Sequence, residues 1–293
     1  MSLKDYYSAI KKEGYVVSDL DLYLLSLNDK DNDRAINVNS PSQVGGCTRA
    51  MYYSRTGTPQ DSGVDARTRR IFDNGTHTHE RLQEYLKKQG VLLMDEVPVH
   101  NDAYNIQGHT DGLLELSKKE GGVLEIKSIN SRGFSALKDA KPEHKMQALV
   151  YLYCLEERRK YLSQFQEDFF CSPPYQEYES HYTHLKDGHK YTREEKLKFS
   201  INNCLNRDKL LFGLELPLTK CVLLYENKDT QELKEFLVES NKEEHAEIIK
   251  EFLEAFDYIN ECVDIGEVPE RLCKNKSDQC GRWCKFKNTC FIV

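Results

Sequence analysis

Gly108-His-Thr-Asp111-Gly-Leu-Leu-Glu-Leu116, followed by Gly122-Val-Leu-Glu125-Ile-Lys127-Ser-Ile129, is the stretch that decides the fold. Its apolar residues come in short Val, Ile and Leu runs, and the Ser-Lys-Lys-Glu-Gly-Gly between them has the composition of a hairpin turn. With Val91-Leu-Leu-Met-Asp-Glu-Val-Pro-Val99 upstream, residues 91–129 read as a strand meander. Glu125 and Lys127 are two apart, so on a strand they project from one face. Asp111, on the preceding strand of the hairpin, comes opposite them. Two carboxylates on one face repel each other unless a cation sits between them. Hard oxygen donors suit Mg²⁺ or Mn²⁺. An ion so held polarises a phosphate and lowers the pKa of a bound water. Lys127 is then placed to position that water or to stabilise developing charge. The spacing Asp-x13-Glu-x-Lys therefore suits metal-dependent phosphodiester hydrolysis.

Helices bracket the meander. From Asp65 to Gln89 the pattern is helical, with Ile71, Phe72, Leu82, Tyr85 and Leu86 as its apolar stripe and Gly90 as its stop. His79, in Gly75-Thr-His-Thr-His79-Glu80, can supply an imidazole to the same metal, whereas His77 points elsewhere. Residues 142–163 read as a second helix that opens at Pro142. Its Gln147 and Tyr151 are four apart and share a face, where an amide and a phenol can orient the lysine, a water or a phosphate. Residues 172–195 form a polar, Tyr- and His-rich loop, and 219–239 hold two more strand-like runs. An amphipathic helix follows over 242–262, with Ile249, Phe252, Leu253, Phe256 and Ile259 on one side. The fold class that follows is α/β, a mixed central sheet flanked by helices.

The chain has 293 residues, 39% hydrophobic and 30% charged, with a formal net charge of −7. This composition speaks against a disordered chain or a uniformly basic nucleic-acid binder. No apolar run reaches the length of a membrane span, and the first fifteen residues lack the apolar stretch of a secretory signal. No membrane partner and a cytoplasmic location are expected. The charge is uneven. Residues 228–257 hold four Lys against ten Asp or Glu, and 270–290 hold six Lys or Arg against two acids. Local binding of nucleic acid thus stays open. Arg67, Arg69 and Arg70, on the helix that carries His79, form a second basic patch.

Ten cysteines in a chain of this kind read as thiols or metal ligands. Cys154, Cys171, Cys204, Cys221 and Cys262 stand among apolar neighbours and read as buried thiols. Cys280, Cys284 and Cys290 have the spacing C-x3-C-x5-C in the basic tail. Cys47, in a polar, glycine-containing loop, is the best fourth ligand, and Cys273 is a rival within the set. Four thiolates hold either Zn²⁺ or an iron–sulfur cluster.

Taken in order, Cys, G-x3-H-E, G-x-x-D-G, E-I-K, Q-x3-Y and C-x3-C-x5-C resemble the RecB-like branch of the PD-(D/E)xK nucleases. The likeness is to its iron–sulfur members: CRISPR-associated RecB-like exonucleases, the AddB nuclease domain and related phage exonucleases. It runs from about Ser40 to Cys290. The resemblance implies a restriction-endonuclease-like core and an exonuclease acting on single-stranded DNA or DNA ends. It implies Mg²⁺ or Mn²⁺ held by His79, Asp111, Glu125 and the Ile126 carbonyl, with Lys127 catalytic and Gln147 and Tyr151 near the scissile phosphate. It also implies a [4Fe–4S] cluster on Cys47, Cys280, Cys284 and Cys290 that joins the N- and C-terminal parts, and a DNA contact at Arg49. The tail departs from the family's C-x2-C-x5-C, which leaves Cys273 against Cys280, and zinc against iron, open. Residues 1–293 are then one nuclease domain. It comprises an N-terminal helical part (1–60), a catalytic core (65–165), an insertion with an outer helix (166–268) and the cysteine-rich tail (269–293). DNA is the expected partner, with recombination or CRISPR proteins beside it. A structure-specific endonuclease and a non-catalytic, cluster-bearing DNA-binding subunit are the alternatives.

Overall fold

The computed structural model describes residues 15–27, 37–43, 45–61, 63–117, 120–164, 193–275 and 284–292. The span expected as one domain divides by its internal contacts into two compact units. One draws on Met1–Val38, Cys47–Thr78 and Cys262–Val293, the other on Asn39–Gly46 and His79–Glu261.

The larger unit is built on a five-stranded sheet of order β1-β2-β3-β4-β5. Its strands are β1 (Leu92–Asn101), β2 (Ile106–Ser117), β3 (Glu120–Ile129), β4 (Lys220–Asn227) and β5 (Leu233–Glu239). The first three form the antiparallel meander, β4 lies parallel to β3, and β5 returns antiparallel to β4. The sheet is therefore mixed, as expected. A parallel β3–β4 pair needs a long crossover, and the chain supplies it as helices. Asn130 caps the short helix Ser131–Ala136 by accepting from the Gly133 amide at 2.8 Å. Next come the helix Pro142–Leu162, with Pro at its start, and the helix Arg193–Phe212. Because β3 is central, its run is nearly continuously buried, as parallel-paired strands are. Leu124 and Ile126 of β3 pack with Leu92, Leu114, Val222 and Leu82, the last from the long helix Ala66–Gln89.

That long helix is written in the sequence at both ends. Asp65 accepts from the Thr68 amide at 2.8 Å, and Gly90 at φ +78 carries the reversal that returns the Val91 amide to Leu86. Its expected apolar stripe needs correction. Leu82 is buried in the sheet core with Leu86 packed against it, as expected, whereas Ile71, Phe72 and Tyr85 are exposed. Beside Leu82 the helix also buries the polar Gln83, which reaches Asp111 and Glu96. The outer helix Glu243–Ile265 buries Leu253, Phe256 and Ile259 as the pattern predicts. Of the cysteines read as core thiols, Cys154, Cys221 and Cys262 are buried and Cys204 is half-buried. Cys171 and residues 172–192 of the Tyr- and His-rich loop lie outside the described residues, and 193–195, expected as loop, open the helix Arg193–Phe212.

The smaller unit includes the helices Tyr15–Ser26, Thr48–Arg55 and Lys287–Ile292. Tyr52, Tyr53, Cys262, Phe286 and Cys290 form its apolar cluster, with the Tyr53 and Phe286 rings 5.5 Å apart.

Two glycines set opposite expectations. A Cβ at Gly112 of β2 meets Leu92 Cδ1 at 2.5 Å and the Met94 carbonyl oxygen at 3.2 Å, whereas one at Gly75 meets nothing within 4 Å. Gly112→Ala is expected to lower stability by about 1–3 kcal/mol through overpacking. Gly75→Ala, in mid-helix, is expected to raise it by about 0.5–1 kcal/mol. Thermal melts of the two variants check both signs.

Candidate active site

Register places the key side chains. The pairs Asp95↔Gly112 and Val97↔Thr110 put Glu96 of β1 across from Asp111 of β2. The pair Gly112↔Leu124, carried one residue further, puts Glu125 of β3 on the other side of Asp111. Three carboxylates thus lie in a row over three adjacent strands. Like charges directly opposite each other destabilise a sheet, so the row calls for compensation.

Asp111 makes two contacts of different kinds. Its Oδ1 lies 3.0 Å from His79 Nδ1, and its Oδ2 accepts the Ile126 amide hydrogen. The second bond replaces a strand–strand bond where the β2–β3 ladder ends. The Ile126 group that meets Asp111 is thus its N–H, whereas the family resemblance implies a role for its carbonyl. His79 and Gln83, four apart on the long helix, share a face. Gln83 Nε2 donates to the Asp111 carbonyl at 2.8 Å and to Glu96 Oε1 at 2.9 Å.

Glu125 is 3% exposed, and its Oε1 accepts from Lys127 Nζ at 2.6 Å. Its Oε2 is buried without a hydrogen-bond partner. Lys127 also donates to Gln147 Oε1 at 3.0 Å, and Gln147 Nε2 reaches the Tyr151 hydroxyl at 3.4 Å. The helix Pro142–Leu162 therefore holds the lysine against the carboxylate, as its i, i+4 pattern suggests. Gly108, the first glycine of the motif, leaves room for Tyr151. A Cβ there would stand 3.3 Å from the phenol oxygen and 3.3 Å from Pro41.

The electrostatics follow from burial. Desolvation and then Asp111 raise the Glu125 carboxyl to about 8, against the pull of Lys127. For His79, burial disfavours the charged form, but the hydrogen bond and charge of Asp111, with Glu125 behind them, outweigh it and raise the imidazole. Burial also raises the Tyr151 phenol, so its hydroxyl stays neutral where it accepts from Gln147.

Three participants carry no signal in the motifs. Glu96 stands in a strand at φ +45, a left-handed conformation that costs a non-glycine residue roughly 1–3 kcal/mol. Gln83 links two strands through one amide. His144 lies beside Lys127, its Nδ1 2.8 Å from the Tyr225 hydroxyl, and burial lowers it to about 4. The tyrosine falls next to Lys127 because the parallel pair Lys127↔Tyr225 puts it there.

The basic residues are placed differently from one another. Arg49 is only 8% exposed and donates to the Tyr53 hydroxyl at 3.1 Å and to the Pro269 carbonyl at 3.2 Å; burial raises the Cys290 thiol, and the Arg49 charge opposes part of that rise. An exposed guanidinium for the expected DNA contact is therefore not found at Arg49. Arg70 is exposed and ion-paired with Asp21, Arg67 is exposed, and Arg69 is half-buried.

In the smaller unit Cys47, Cys273, Cys284 and Cys290 line one small cavity, with Arg271 and Lys287 at its wall. Burial raises the Cys284 thiol, and Cys47 and Cys273 act in the same direction. Cys280 lies outside the described residues. Among the described residues, no three His, Cys, Asp or Glu side chains form a ready cage around one point. At the carboxylate row the reason is plain, since Asp111 and Glu125 are engaged by His79, the Ile126 amide and Lys127. The donor set still fits a hard divalent ion: an imidazole, neighbouring carboxylates and one buried, unpartnered carboxylate oxygen. At the cysteines, four thiols on one cavity fit a thiophilic centre.

No family model and no curated protein matches the chain. Among solved structures, it is similar to one titled "Crystal structure of SSO0001", with a TM-score of 0.45 and 14% identity, over 94% of this chain and 95% of that one. Among the described residues, no helix is long and apolar enough to cross a membrane.

Glu125 makes stability depend on pH. Its folded carboxyl sits above the unfolded one, so between the ordinary carboxylate range and about 8 the folded chain holds a proton that the unfolded chain has released. Stability therefore falls as pH rises through that window. His79, also raised, acts in the same direction. Glu125→Gln is expected to flatten the fall measured by metal-free thermal melts from pH 5 to 8.5. Parallel curves would remove Glu125 as its source.

Proposed function

We propose that the chain is a Mg²⁺- or Mn²⁺-dependent deoxyribonuclease, a RecB-like exonuclease of the iron–sulfur branch. What carries this reading is Lys127, held between Glu125 and Gln147 beside the buried carboxylate of Asp111. The residues expected from separate motifs on two helices and two strands meet at one place.

His79, Asp111 and Glu125 would hold a divalent ion, which would supply Lewis-acid polarisation of the phosphate and an acidified water. The remaining work falls to the chain. In hydrolysis a water oxygen bonds to phosphorus, the bond from phosphorus to the leaving sugar oxygen breaks, and one proton passes from the water to that oxygen. Lys127, as an ammonium, has a donor for the charge that builds on the phosphoryl oxygens. Glu125 and Gln147 hold its nitrogen and limit its rotamers. His79 is fixed by Asp111, and Gln83 locks the helix of His79 to the strand of Asp111. Tyr151, kept neutral by burial, orients the Gln147 amide.

Asp111→Asn, Glu125→Gln and Lys127→Ala are each expected to lower cleavage of labelled linear single-stranded DNA in Mn²⁺ by at least about 100-fold, with circular dichroism unchanged. Full activity in any one of these folded variants would refute the site. Degradation of linear DNA with covalently closed circles left intact is the exonuclease outcome. Nicked circles would mean an endonuclease, and binding without cleavage in either metal would mean a DNA-binding subunit.

The cysteine site, in the same proposal, carries a structural [4Fe–4S] cluster that ties Cys47 to the C-terminal tail. Cys273 lines one cavity with Cys47, Cys284 and Cys290, which supports it as the fourth ligand. Anaerobic iron and sulfide assays decide between the rivals. Cys273→Ser is expected to lose the cluster and Cys280→Ser to retain it. The reverse result would assign Cys280, and one zinc per chain without iron would replace the cluster.

A further inference from the structure

We propose that Glu96 is a further metal-ligating carboxylate of this site. The inference rests on the nuclease reading for the presence of a divalent ion. It adds a ligand from β1, a strand that none of the motifs involves.

Four observations converge on Glu96. Register sets it across the strand from Asp111, so the two side chains belong to the same face. Gln83 hydrogen-bonds the Glu96 carboxylate and the Asp111 carbonyl with one amide nitrogen, which keeps the two residues in a common frame. Glu96 is exposed as a residue while Asp95 and Val97 on either side are buried, and its carboxyl is partly buried beside Asp111 and Gln83. Its φ of +45 is a conformation that a glutamate adopts only when something outweighs the strain.

The acidic row alone would not mark a ligand. The independent sign is Glu125 Oε2, a buried carboxylate oxygen without a hydrogen-bond partner at the other end of the same row.

The test uses the full chain and Mn²⁺ alone, with free Mn²⁺ followed by electron paramagnetic resonance. Glu96→Gln removes the charge but keeps an oxygen that accepts from Gln83, so a merely structural role predicts unchanged Mn²⁺ binding. The ligand role predicts either affinity weaker by about 10–100-fold or the loss of one bound ion. Glu96→Gly is expected to weaken binding in the same way. By relieving the backbone, it is also expected to raise the metal-free Tm by about 2–4 °C. Binding by Glu96→Gln as tight as wild type, with the same number of ions, would overturn the proposal. If wild type binds no more Mn²⁺ than Asp111→Asn, the divalent-metal reading fails with it. If wild type binds and only the Glu96 variants match it, Glu96 alone is excluded.

Discussion

Everything at the centre of the larger unit depends on one carboxylate. Asp111 takes the Ile126 amide on one oxygen and His79 on the other. Through the first it closes the β2–β3 ladder at the point where the strands separate. Through the second it anchors the long helix. Gln83, one turn further along that helix, grips the Asp111 carbonyl from the same side. The aspartate is therefore a structural joint and a chemical group at once.

The joint has an electrostatic cost. Glu125 is buried beside it, and Lys127 answers only one of its oxygens. A buried ion pair of this kind is weak support for stability, because desolvation offsets much of the attraction. The rise of the Glu125 carboxyl to about 8 reports the same imbalance. Strain at Glu96 and an unpartnered oxygen at Glu125 are what a structural carboxylate cluster would avoid and a metal centre would tolerate.

The smaller unit shows a parallel logic in softer chemistry. Cys47 and three cysteines from near the C-terminus share one cavity, with Arg49 buried close to Cys290. Burial raises the Cys290 thiol, and the guanidinium charge opposes part of that rise.

Much was legible in the sequence, for reasons that are local. Strand alternation, the Asp65 and Gly90 helix ends and Pro142 depend on neighbours within a few residues, so the meander and two helices could be read directly. Glu125 with Lys127, and Gln147 with Tyr151, follow from the periods of strand and helix. Other features depended on register and tertiary packing. The Glu96, Asp111 and Glu125 row exists only because three strands align to the residue, and a shift of one would turn the side chains to the opposite face. Tyr225 is the register neighbour of Lys127, and so brings His144 near it, because β4 pairs in parallel after a long helical crossover. Of the apolar stripe on the long helix, Leu82 and Leu86 meet the sheet core, whereas Ile71, Phe72 and Tyr85 are exposed. The sequence by itself determined the elements and the chemistry of the motifs. The tertiary structure alone decided which distant charges face one another, because that depends on contacts between residues far apart in the chain.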